Sequence, residues 1–141
     1  MKNMKKFVSL FLVIALVFMG TMSASAAEND SKTAGTVGVR YTYLYMISAG
    51  LDIVGGTAEC DSYACTSSSG YTISLTMTLY RNSSVAASWV DGGPGFEGVS
   101  LDETVPSLAT GYTYQVKAVA RVYSGGVLVE TATRYSQSIS Y

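Results

Sequence analysis

Histidine is absent from this sequence. That absence excludes the Ser-His-Asp and Cys-His arrangements of nucleophilic catalysis. It also excludes every histidine-containing zinc, copper or haem site. Cysteine is scarce: Cys60 and Cys65 are the only two, too few for an all-thiolate zinc site or a thiolate-held iron–sulfur cluster. These counts leave open only carboxylate chemistry and metals held by oxygen ligands, and no cofactor is expected. Charge is sparse as well, at 13% of the 141 residues. The length allows one ordinary domain. Nothing in the composition specifies a reaction.

One long apolar run is present, Phe7 to Gly20. It follows a short basic stretch with Lys2, Lys5 and Lys6 and precedes small residues ending in Ala24-Ser25-Ala26-Ala27. That order is the layout of a secretory signal peptide, with the cut expected after Ala26 or Ala27. The run is shorter than the roughly 20 residues needed to span a bilayer, so an uncleaved anchor fits less well. The sequence therefore divides into a signal peptide at 1–27, a short polar leader at 28–38 and one domain at 39–141. A secreted, extracellular chain is expected, with no membrane segment after cleavage. Cleavage removes three basic residues and leaves 6 facing 10 acidic ones. A net negative chain of this kind is not expected to bind nucleic acid, whose phosphates call for a basic face.

What remains is rich in Tyr, Thr, Ser and Val, residue types that suit a pleated, half-buried surface. Tyr71 to Arg81 alternates cleanly. Ile73, Leu75, Met77 and Leu79 point one way, and hydroxyl residues point the other, as in an antiparallel strand with one side on a core. Tyr112 to Tyr123 repeats the pattern through Tyr114, Val116, Ala118, Ala120 and Val122. Gly125-Gly126 has the composition of a two-residue hairpin loop. The register then expected sets Val122 opposite Val129, Arg121 opposite Glu130 and Lys117 opposite Arg134. One more loop residue would turn Glu130 inward, and an unpaired buried carboxylate costs several kcal/mol. A second hairpin around Asn82-Ser83-Ser84 is expected to turn Trp89 inward beside Met77 through a three-residue loop. Shorter strands are expected at Val39 to Ile47, Leu51 to Val54, Gly56 to Cys60 and Val99 to Val105. About seven short strands with no helical stretch predict an all-β antiparallel sandwich, with a closed barrel as the alternative.

The segment Leu108-Ala-Thr-Gly111-Tyr-Thr-Tyr114 resembles the entry to the sixth strand of fibronectin type III and other immunoglobulin-like domains. The resemblance implies that the Tyr114 hydroxyl bonds back to upstream backbone as a tyrosine corner. Across most of the domain, Arg40-Tyr-Thr-Tyr43, Leu51-Asp-Ile53, Gly56-Thr-Ala58-Glu-Cys60, Ile73 to Leu79, Ser88-Trp89, Gly111 to Tyr114 and Glu130 to Ser136 follow in order. That series resembles a family of small secreted proteins of Gram-positive gut bacteria known only as a domain of unknown function. It implies a secreted immunoglobulin-like sandwich and carries no activity or site.

Three features invite chemistry. Cys60-Asp-Ser-Tyr-Ala-Cys65 suits a hairpin whose flanking cysteines face each other, so a structural disulfide is expected in an oxidising compartment. Asp91-Gly-Gly-Pro-Gly-Phe-Glu97-Gly98 reads as a flexible solvated connection; with Asp102 and Glu103 its carboxylates are the candidates for a calcium site, though the spacing matches no EF-hand. The same carboxylates are the candidates for glycoside hydrolysis. Tyr41, Tyr43 and Tyr45 alternate with Leu44 and Met46, so three tyrosines are expected to stand together outside the core as a binding surface. The leading expectation is a non-enzymatic module that binds an extracellular glycan or protein. A carboxylate-based hydrolase and a secreted toxin are the alternatives.

Overall fold

The computed structural model describes Arg40–Tyr141. The signal peptide, its cut at Ala26 or Ala27 and the leader lie outside the described residues. Every regular element from Arg40 onward is a strand: β1 (Leu44–Val54), β2 (Thr57–Thr66), β3 (Tyr71–Arg81), β4 (Ser84–Pro94), β5 (Val99–Val105), β6 (Thr113–Ser124), β7 (Val127–Tyr135) and the two-residue β8 (Ile139–Ser140). They form two antiparallel sheets. One has the order β1-β2-β5; the other has β4-β3-β6-β7, with β8 on the first residues of β6. This three-plus-four division, with the chain crossing between sheets after β2, β4 and β5, is an immunoglobulin-like, fibronectin type III-like sandwich.

Period-two alternation builds the core. Ile73, Leu75, Met77 and Leu79 of β3 meet Tyr114, Val116, Ala118, Ala120 and Val122 of β6 on one inner face, all buried. Leu44, Ile47 and Leu51 of β1, Ala58, Cys60 and Ala64 of β2, and Val99 and Leu101 of β5 supply the other. Each fully buried Leu or Met contributes about 1.5–3 kcal/mol. The small residues on β2 and β6 let large ones from the opposite sheet fill the layer.

Two expected strands, ending at Ile47 and starting at Leu51, are one strand: β1 runs unbroken through Ser48-Ala49-Gly50. Likewise β2 continues past Cys60 to Thr66, because it is the central strand of its sheet. It pairs with β1 on one side and, from Ala58 to Ala64, with β5 on the other.

Both predicted hairpin registers change through a bulge. The Gly125-Gly126 loop holds, with Ser124 opposite Val127 and both glycines at positive φ (56° and 82°), as a two-residue hairpin turn needs. Val129 is then an extra residue on β7, so Val122 faces Glu130, Arg121 faces Thr131 and Lys117 faces Tyr135. The expected Arg121–Glu130 and Lys117–Arg134 pairs do not form. At the other hairpin the loop is two residues, Asn82-Ser83, and not three. Ala86 is the extra residue on β4, and Trp89 still reaches Met77, half-buried against the core.

A third extra residue, Tyr45, lies on β1 between Leu44 and Met46. All three bulges therefore sit on strands that are sheet edges among the described residues: β1, β4 and β7. A bulge twists an edge and interrupts its row of unpaired N–H and C=O groups, which opposes uncontrolled sheet extension. The fourth edge, β5, is short and ends against Pro106.

Candidate functional site

The expected Cys60–Cys65 disulfide is not formed; both thiols are free and buried. The predicted hairpin between them is continuous β2. Five residues of strand span about 16 Å, well beyond the ~4.4–6.8 Å between Cα atoms that a disulfide accepts. Alternation also sends the two side chains to opposite faces. Cys60 lies in the inter-sheet core, where burial and the neighbouring Asp61 and Glu103 carboxylates push its thiol up to about 11. Cys65 lies on the outer face, where it hydrogen-bonds to the Tyr63 side chain and holds that phenol above its usual range.

The three tyrosines do not stand together. Tyr41 and Tyr43 pack against the core, and the Tyr43 ring meets Tyr71 at 5.1 Å between centroids. Only Tyr45, the bulged residue, projects freely at 74% exposure. The bulge moves Met46 off the core face and turns Ile47 onto it, so the expected alternation is reversed from that point of β1 onward.

The acidic candidates are dispersed. Asp91 to Pro94 is the end of β4, with Asp91 opposite Leu75. Gly95 then pins the corner: its N–H donates to the Tyr71 carbonyl and its carbonyl accepts from Thr66 N–H, both at 2.8 Å. The segment is thus half strand and half anchored turn, not a flexible connection. Asp102 and Glu103 are successive residues of β5 and leave its two faces. Among the described residues, no three carboxylate, cysteine or histidine side chains are grouped to hold a metal ion.

Tyr114 is almost fully buried, and its hydroxyl donates to the Ala109 carbonyl at 2.8 Å. This is the backward bond of a tyrosine corner. It ties the connection between β5 and β6 to the core. Leu108 N–H donates to the Gly56 carbonyl at 2.9 Å, which fixes the same connection to the β1–β2 turn.

Sequence reasoning missed Glu130. Its carboxylate accepts from the backbone N–H groups of Thr42 (2.7 Å), Tyr43 (3.0 Å) and Leu44 (2.7 Å). The inward turn rejected as an unpaired buried charge is instead a paired one. The partners lie 86–88 residues away in sequence, so no local pattern announces them.

One pole of the sandwich gathers the β1–β2 turn, the Asn82-Ser83 turn and the β5–β6 connection. The last is held from both sides, since Asn82 N–H donates to the Thr113 carbonyl and Thr113 N–H donates to Asn82 Oδ1. A recess of about 280 Å³ opens there, lined by Arg81, Val85, Ala86, residues 105–109 and Tyr114. The Arg81 guanidinium lies 4.8 Å over the Tyr112 ring, and among the described residues no carboxylate lines the recess. Ser107 at its lip has φ +59°, a left-handed conformation uncommon outside glycine.

No protein-family model and no curated protein matches the sequence. Among solved structures, the chain is similar to parts of two crystal structures of a glycosyl hydrolase family 2 member from Bacteroides cellulosilyticus. These are 13% identical with TM-scores of 0.43 and 0.45, over 63% and 65% of this chain but only 13% and 15% of theirs. A third is Bacteroides uniformis β-glucuronidase 2, at 18% identity and a TM-score of 0.39, over 66% of this chain and 12% of that one. The matched portion is a small part of each enzyme, and nothing of their activity transfers with it.

Proposed function

We propose that this chain is a secreted, non-enzymatic β-sandwich module that binds an extracellular macromolecule, glycan or protein, presenting an anionic group. The observation that supports this reading is the Arg81 recess at one pole. Turns at the ends of such sandwiches are where binding residues concentrate, because a rigid scaffold holds them in place. Arg81 brings a planar cation with five donors. Its stacking on Tyr112 orients it without consuming its charge. Val85, Val105 and Pro106 supply apolar surface beside it. Secretion follows from the signal-peptide pattern at 1–27 and accords with the resemblance to small secreted Gram-positive proteins.

The test is affinity capture from the surface extract of a Gram-positive host, using the secreted chain as bait. Its N-terminus is first sequenced, with Ala27 or Glu28 expected. A partner retained by the native chain and lost with Arg81→Ala or Tyr112→Ala supports the reading. Hydrolysis of a glycoside by the purified chain, abolished by Asp91→Ala or Glu97→Ala, would overturn it.

A further inference from the structure

The two sheets carry opposite charge. Strands β1, β2 and β5 contain five carboxylates and no Lys or Arg. Four of them, Asp52, Glu59, Asp61 and Asp102, leave the outer face in two adjacent rows: Asp52 opposite Glu59, and Asp61 opposite Asp102. Like charges directly across a ladder repel. The Asp61 carboxyl leans over Gly50, in space that any side chain there would fill, and so away from Asp102. The outer face of the other sheet is the complement. Among the described residues it carries Lys117 and Arg121 amid Thr, Ser and Tyr side chains, and no carboxylate. Lys117 Nζ lies 5.8 Å from the Tyr135 ring. Each face also shows apolar surface: Val54 is 57% exposed on the first, and Val90 is 66% exposed on the second.

We infer that copies of this chain stack head to tail, the acidic outer face of one on the basic outer face of the next. The faces of one molecule point in opposite directions, so a single copy cannot satisfy its own charges. A two-fold dimer would set like face on like face and is disfavoured. A heterologous contact pairs opposite charges and leaves a free face at each end, so assembly continues beyond a dimer. With strands ~4.8 Å apart and ~3.3 Å per residue, the three-stranded face offers on the order of 500 Å². Covering it on both partners buries roughly 1,000 Å², at the low end for a specific interface, so the association is weak and reversible. It uses neither Arg81 nor the polar recess and stands independently of the binding reading above.

Sedimentation velocity on the secreted chain at roughly 0.1–1 mM, concentrations suited to a weak interface, tests it. The sedimentation coefficient should climb with concentration at ~20 mM salt without a dimer plateau. It should fall to the monomer value at ~0.5 M salt, where the Debye length shrinks from about 20 Å to about 4 Å. Lys117→Glu with Arg121→Glu makes both faces acidic; Asp61→Lys with Asp102→Lys cancels the charge of the first face, setting two lysines against Asp52 and Glu59. Each double variant alone should remain monomeric, and an equimolar mixture should associate. The milder pair Lys117→Gln and Arg121→Gln should lower association without altering the melting temperature, and serves if a reversal fails to fold. A native chain that stays monomeric at low salt overturns the inference. So does association that survives high salt, or a mixture of folded variants that remains monomeric.

Discussion

The Glu130 carboxylate and the Leu44 backbone N–H meet at 2.7 Å, joining β7 to the first residue of β1 across 86 positions of sequence. With Thr42 and Tyr43 N–H on the same carboxylate, one side chain satisfies three donors at the entrance to the fold. The bulge at Val129 makes this possible. Without that extra residue, alternation would send Glu130 to the outer face beside Arg121, where an exposed pair contributes about 1 kcal/mol at most.

Glu130→Ala removes the acceptor and leaves three N–H groups to find water. Hydrogen bonds to charged groups contribute about 1.5–3 kcal/mol each, but here the donors are partly solvent-accessible, so a total loss of about 2–3 kcal/mol is expected. Glu130→Gln keeps one acceptor oxygen and should lose about half as much. Urea denaturation read by tyrosine fluorescence gives the two midpoints, and equal midpoints for Ala and the native chain would refute the role.

Both cysteines should be recovered as free thiols. In the native state Cys60 should react slowly with iodoacetamide at pH 8, because the thiolate is the nucleophile and this thiol is pushed up to about 11. The same displacement has a stability consequence. Between its ordinary 9.0 and about 11 the unfolded chain sheds this proton while the folded chain keeps it. The unfolded state then binds fewer protons, so stability falls as pH rises through that window. Cys60→Ala should flatten the decline in a denaturation series from pH 8 to pH 11. A disulfide-bonded mass under native, non-reducing conditions would contradict the geometry.

Gly98 has φ +85°, and the Tyr63 ring and hydroxyl lie where a side chain would start. Gly98→Ala meets both penalties: about 1–2 kcal/mol for a left-handed L-residue and the displacement of Tyr63. Gly125→Ala, at φ +56° with open space around it, meets only the first. Thermal melts should therefore rank Gly98→Ala below Gly125→Ala, and Gly98→Ala in a Tyr63→Ala background should recover part of the difference.

Tyr114→Phe deletes the 2.8 Å bond to the Ala109 carbonyl while keeping the ring in the core. A loss of about 0.5–1.5 kcal/mol is expected for one neutral hydrogen bond. Hydrogen exchange should show the effect concentrated in the β5–β6 connection. Uniform loss of protection would place the bond's role elsewhere.

Strand existence was legible because alternation is local. Ile73, Leu75, Met77 and Leu79 are one face of a strand in any antiparallel sandwich, and the structure buries all four. The candidate sites were legible only in part. Tyr114 reaches the backbone expected of it because its signal lies within a few residues. The Cys60–Cys65 pair and the Tyr41–Tyr43–Tyr45 face failed because each depended on where a strand ended or where a bulge fell. Small polar residues at Asp61-Ser62 read as a turn; pairing on both sides keeps them in a central strand. The Arg81 recess had no sequence signal, since its lining comes from β3, β4 and the β5–β6 connection.

By itself the sequence determined the class of fold, the apolar faces of β3 and β6 and the exclusion of histidine chemistry, because side-chain period and composition are properties of the chain alone. The tertiary structure decided register, the bulges on β1, β4 and β7, the three donors on Glu130 and the separation of charge between the two sheets. Those depend on which strand lies beside which, and strand neighbours are chosen by packing across distances the local pattern does not encode.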